Sequence, residues 1–211
     1  MAIITKIEEQ KNKKRINVFV DNAFFCGLFK ETAVIFKLKE GQFIDESVLK
    51  QAIFDSETKS AFDKASEYLA NRMYSKRELF DKLYKKGYQK DNIIKAIEKL
   101  EEYHYVDDEL FAKQFVEQNS KLSKKILECK LKQKGVSSDI VDEVVCLVKE
   151  DDEYQNCLAF AEKYAKSKDL SKESALQKMY ASLARRGFSF DLIKRVCLKI
   201  ANGLDIDDFE N

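Results

Sequence analysis

The chain has 211 residues and a mass of 24.5 kDa, and its 45% hydrophobic content supplies a core for one large domain or several small ones, which excludes a disordered chain. Its 38 Lys and Arg nearly cancel 37 Asp and Glu, so a net charge of +1 does not mark a nucleic-acid binder, and any such role must come from local patches. No apolar run reaches the roughly 18 residues of a membrane span, and the opening MAIITKIEEQKNKKR has no signal-peptide core, so the expected compartment is the cytoplasm, with no membrane partner.

Residues 1–58 read as a small α+β domain. ITKI, RINVFV (15–20) and AFFCGLF (23–29) have strand character, and Asp21-Asn22 between the last two is a hairpin signal. ETAVIFKL then reads as a short helix stopped at Gly41, and Asp45 as the cap of ESVLKQAIF. With no proline and only six glycines in the chain, punctuation falls to glycine, to Asp, Asn and Ser caps, and to changes of periodicity.

From residue 59 a three-to-four residue period takes over, and one phrase recurs: LYKKGY at 83–88, LKQKGV at 131–136, LARRGF at 183–188. Gly87, Gly135 and Gly187 are spaced by 48 (135 − 87) and 52 (187 − 135) residues, in the range of helical repeat arrays. Leu79, Leu127 and Met179 precede each glycine by one common interval, and Leu83, Leu131 and Leu183 by a shorter one, drawing one apolar helix face. After each glycine an aspartate (Asp91, Asp139, Asp191) reads as the cap of a following helix whose stripe is Ile93, Ala96 and Leu100 in the first unit. Each glycine reads as a helix end, where positive φ is cheap and the basic residues before it complement the dipole.

A third helix precedes each of these pairs, at 61–72, 108–119 and 153–166. Ser75 with Glu78 forms a capping box, Ser123 holds the matching place in the second unit, and the extra length of the third unit falls in the stretch beginning at Ser171. The expected fold is therefore mainly α: three tandem three-helix repeats (59–107, 108–152, 153–203) forming an elongated curved array after the α+β domain, with an acidic tail at 204–211.

Catalytic chemistry is missing from this pattern. Five cysteines form no CxxC pair and read as reduced, buried small hydrophobes; the single histidine, His104, has no second histidine to join. No phosphate loop, nucleophile elbow or HExxH helix occurs, and the adjacent Asp107 and Asp108 read as helix caps, not a metal site. No catalytic residue, cofactor or metal is expected.

YLANRMYSKRELFDKLYKKGY, followed by IEKLEEYHYVDDELFAKQFV, resembles the hallmark of the RecX family, bacterial regulators of the RecA recombinase. Arg72, Ser75, Glu78, Leu79, Leu83, Gly87, Tyr105, Asp107, Asp108, Phe111 and Ala112 fall on the places of that pattern, and the similarity runs over about 60–203. His104 departs from it, standing where a glycine is usual. The resemblance implies a non-enzymatic regulator that lodges along the RecA filament on single-stranded DNA and restrains filament growth, ATP hydrolysis and strand exchange, acting as a monomer with at most a weak direct DNA contact. Arg72, Lys76, Arg77, Lys85, Lys86, Lys124, Lys125, Lys132, Lys134, Arg185 and Arg186 are the candidate contacts with acidic filament surfaces or phosphates. Two alternatives stay open: these cations are solvated helix ends, or they make the chain a free-standing nucleic-acid binder.

Overall fold

A computed structural model describes residues 2–166 and 173–207, and they divide into two compact units, Met1–Asp107 and Asp108–Asn211. The stretch beginning at Ser171 and residues 208–211 of the acidic segment lie outside or at the margin of the described residues.

The first unit opens on a four-stranded antiparallel sheet of order β3-β2-β1-β4, built from β1 (Ala2–Glu9), β2 (Arg15–Val20), β3 (Ala23–Phe29) and β4 (Phe43–Ile44). Asp21 and Asn22 both take positive φ, 48° and 66°, the conformation that a tight two-residue hairpin demands and that Asp and Asn tolerate. The two-residue β4 carries no alternating run and was not expected from sequence. Helix α1 (Lys30–Ile35) stops earlier than expected: Lys37, at φ 51°, turns the chain, while Gly41 (φ 82°) shapes the later turn that returns it to β1. The inward faces of β1 and β2, with Leu28, Ala33, Leu38, Ile44 and Ile53, form the core of this part.

Helix α2 (Glu46–Leu69) is a single element of 24 residues that runs through position 58, joining what sequence periodicity splits into two helices. Asp45 caps it, accepting from the backbone N–H of Ser47 and Val48. Its C-terminal half packs with α3 (Lys76–Lys86) and α4 (Lys90–Glu102) around Ala65, Leu79, Leu83, Ile93, Ile97 and Leu100. Ser75 Oγ accepts from Glu78 N–H at 3.1 Å, and Gly87 ends α3 in the left-handed region at φ 102°.

In the second unit α5 (Asp108–Gln118), α6 (Lys124–Gln133) and α7 (Ser138–Cys146) bury Phe111, Ala112, Leu127, Leu131, Val141 and Val144. Helices α8 (Glu150–Ala165), α9 (Glu173–Arg185) and α10 (Phe190–Asp207) bury Cys157, Ala161, Met179, Leu183, Ile193 and Val196. Gly135 and Gly187 have φ of 78° and 80°, so each repeat closes its middle helix in the same way. The aspartates are displaced from their expected role. Gln89, Ser137 and Ser189 precede the third helices, and Asp91, Asp139 and Asp191 sit inside the first turn, where a carboxylate meets the positive end of the dipole.

Candidate interaction surface

The structure sorts the eleven candidate cations by what their side chains already touch. Arg72 lies 3.5 Å above the Tyr74 ring and donates to Glu78 Oε2 at 3.3 Å; Lys76 bridges to Glu101 at 2.9 Å; Arg77 reaches the Asp81 carboxylate at 3.3 Å. Lys132 is held by Glu128 one turn earlier, Lys134 lies over Phe111 and Phe115, and Arg186 binds Ser182 and covers Phe160. These six are built into their own repeats. The backbone N–H of Lys124 donates to Glu153 at 3.0 Å, while its side chain, with those of Lys85, Lys86, Lys125 and Arg185, joins no ion pair among the described residues.

Lys85, Lys86, Lys125 and Arg185 are also exposed. Lys85 and Lys86 occupy the last turn of α3, and Arg185 the last turn of α9, where a cation is stabilised by the negative helix end while its head group stays in water. In the second repeat the two positions before the glycine are Gln133 and Lys134, and Lys134 is drawn onto the aromatic pair. The basic helix end is therefore presented to solvent in the first and third repeats.

Ser75, Leu79, Leu83, Asp108, Phe111 and Ala112 are buried, Asp107 and Tyr105 are exposed, and Tyr105 leans on Tyr103 with ring centroids 6.1 Å apart. His104 takes φ 58°, which explains why a glycine suits that place. Of the cysteines, Cys129 and Cys146 are exposed on their helices and not buried as expected, since each lies off the apolar stripe. Burial pushes the Cys26 thiol up to about 11 and the Cys157 thiol up to about 12, so neither is a nucleophile at neutral pH. Among the described residues no group of three His, Cys, Asp or Glu side chains could hold a metal ion, and no helix is long and apolar enough to cross a membrane.

One polar centre was invisible in the sequence. Arg15, 3% exposed, donates to Glu57 Oε2 at 3.2 Å, to the carbonyl of Gly87 at 2.7 Å and to that of Gly27 at 2.7 Å. Glu57, 2% exposed, also accepts from the Phe29 N–H at 2.7 Å and from Thr32 Oγ1 at 2.9 Å. Sheet, α1, α2 and the glycine end of α3 thus meet at one buried ion pair. A comparable closure occurs in the second unit, where Ser123 Oγ donates to the carbonyl of Arg186 at 2.6 Å. The repeated helix end is a docking point for other elements of the fold as well as a chain reversal.

Four family models match in succession: the regulatory protein RecX N-terminal domain over residues 2–45, and the first, second and third RecX three-helix domains over 61–100, 107–145 and 150–197. The chain is 35% identical over 207 residues to regulatory protein RecX of Clostridioides difficile (strain 630), covering 96% of this chain and 97% of that protein. It is 34% identical over 212 residues to regulatory protein RecX of Clostridium botulinum (strain Eklund 17B / Type B), covering 96% and 98%. A crystal structure of regulatory protein RecX shares the fold at a TM-score of 0.66 and 22% identity over 93% of this chain and 98% of that one. Another, of RecX from Lactobacillus salivarius, matches at 0.63 and 22% over 70% and 98%. With every domain matched in order and relatives aligned from end to end, the chain belongs to the RecX family of regulatory proteins.

Proposed function

We propose that this protein binds the RecA filament on single-stranded DNA in the cytoplasm and restrains its ATP hydrolysis, growth and strand exchange, acting as a monomer by occupancy and not by turnover. The observation that carries the reading is the end-to-end family match, joined by a local one: Lys85, Lys86 and Arg185 are exposed, with no ion pair among the described residues, at equivalent helix ends. Single exposed cations are individually weak, but cations offered at the same helix end of the first and third repeats suit a partner that is itself a repeating lattice of acidic surface and phosphate. The same residues give only a weak grip on bare DNA, which should fade as salt rises.

The test is RecA ATP hydrolysis stimulated by single-stranded DNA, with this protein added at substoichiometric amounts. A fall is expected, because blocking a growing filament end silences more than one subunit. Tight binding to bare DNA with RecA activity untouched would replace this reading with that of a free-standing nucleic-acid binder.

A further inference from the structure

Two stretches of the first unit hold cations with no carboxylate among them. Residues 10–20 (QKNKKRINVFV) contain Lys11, Lys13, Lys14 and Arg15, and residues 82–90 (KLYKKGYQK) contain Lys82, Lys85, Lys86 and Lys90. Arg15 and Gly87 are 72 positions apart in the chain, yet the Arg15 guanidinium donates to the Gly87 carbonyl at 2.7 Å, so the fold joins the two stretches at the end of α3.

The β1–β2 loop is seated on that helix end. A Cβ on Gly87 would lie 2.7 Å from Asn12 Nδ2 and 3.5 Å from Arg15 Cδ, so the loop rests against bare glycine backbone. Its own shape is fixed by Asn12, whose Oδ1 accepts from the Lys14 N–H at 3.1 Å and whose carbonyl accepts from the Arg15 N–H at 2.8 Å. Lys11, Lys13 and Lys14 are exposed on this loop, as Lys85 and Lys86 are on the helix end. None of the five joins an ion pair among the described residues.

Most carboxylates that adjoin the two stretches are engaged elsewhere. Glu8 and Glu9 are held by Lys6 and Lys30, Asp81 by Arg77 and Glu57 by Arg15. Asp21 lies at the far end of β2, where it accepts from the Ile3 N–H. Glu31 and Asp91, in the first turns of α1 and α4, remain, and Lys90 stands beside Asp91. Cations gathered in excess repel one another, so the fold alone does not account for the arrangement, whereas a polyanion brought from outside does.

An exposed ring stands at the same helix end. Tyr84, 53% exposed, stacks on Phe80 with ring planes 12° apart, and Lys90 lies 6.0 Å over its centroid. Cations beside an exposed aromatic ring suit a single strand, which offers phosphates to the one and a base to the other. An acidic protein surface would need the cations alone.

We propose that the β1–β2 loop and the end of α3 form one bipartite site for the phosphate backbone of single-stranded DNA, with Lys11, Lys13 and Lys14 as the contacts supplied by the amino-terminal domain. The site rests on the filament reading for its biological setting and gives the amino-terminal domain a part in it.

The test is the affinity of the full-length protein for a fluorescent oligothymidylate, measured by anisotropy over a range of salt and without RecA. One variant combines Lys11→Gln, Lys13→Gln and Lys14→Gln. The control combines Lys39→Gln, Lys50→Gln and Lys99→Gln, which takes the same charge from exposed positions elsewhere in the first unit. The loop variant is expected to bind roughly tenfold more weakly at low salt and to lose about one to two from the slope of log affinity against log salt, at about 0.7 per phosphate. The control should keep most of its affinity. Lys85→Gln with Lys86→Gln probes the other half of the site by the same readout, and serves in place of the loop variant if that one melts early. A loop variant that binds no more weakly than the control overturns the proposal, as does a wild type that shows no binding at low salt. So does a loop variant that keeps its oligonucleotide affinity but no longer restrains RecA ATP hydrolysis, since its partner would then be an acidic protein surface. If the loop variant loses the strand while the wild type leaves RecA hydrolysis unchanged, the site stands and the filament reading falls.

Discussion

At the scale of single residues, two positions bear unusual loads. Arg15 and Glu57 are both nearly inaccessible and satisfy one another together with two backbone carbonyls, a backbone N–H and the Thr32 hydroxyl. Removing one partner strands a buried charge, so Arg15→Met should cost about 3–5 kcal/mol, read as a fall in the urea midpoint. Adding Glu57→Gln should recover more than half of that loss, because the uncompensated charge is gone. His104 bears a smaller load: a non-glycine residue at φ 58° costs roughly 1–2 kcal/mol, partly offset by the extra unfolded-state freedom of glycine. His104→Gly is therefore expected to raise the melting temperature by about 2 °C. The histidine's strain was legible as a departure from a family pattern. The ion pair was not, since strand alternation places Arg15 on the face opposite Ile16, Val18 and Val20, which reads as solvent until α2 and Gly87 cover it.

At the scale of elements, the glycines of positive φ differ in what surrounds them. A Cβ at Gly41 would meet nothing within 4 Å, whereas one at Gly187 would approach Ser123 Oγ at 2.7 Å and Ile126 at 3.0 Å. Gly41→Ala should thus cost about 1 kcal/mol of backbone strain, and Gly187→Ala roughly 2–3 kcal/mol because it also dislodges the Ser123 bond to Arg186. Chemical denaturation of the two variants checks the ranking, and equal losses would show that the Ser123 closure contributes nothing. The repeat period, the glycine ends, the Ser75 cap and the Asp21-Asn22 hairpin were all readable, because each is a local signal with its own backbone cause. Two elements were misread where tertiary packing overrides local pattern. Helix α2 stays unbroken past residue 58 because one half serves the sheet and the other the first repeat, and β4 exists only through its pairing with Ala2 and Ile3. The candidate surface was half legible: the basic residues were found, but which of them stay free depends on neighbours such as Glu101, Asp81 and Phe115 that only the packed repeat brings near.

At the scale of the whole molecule, the proposed function and the fold would draw on different lysines. Lys85→Glu with Lys86→Glu removes two exposed cations that join no ion pair among the described residues, so circular dichroism should keep its helical signal while filament binding falls. Unchanged binding would return the pair to the role of solvated helix ends. The buried pair also has a bearing on biosynthesis. Arg15 leaves the ribosome 42 residues ahead of Glu57 and 72 ahead of Gly87. At about 5–20 residues per second the arginine waits roughly 2–8 s for its counter-charge, and longer for the carbonyl that completes its shell. During that interval the nascent sheet cannot seal its open side without burying an unpaired guanidinium. The amino-terminal strands are therefore expected to complete their packing only once the first repeat has been made.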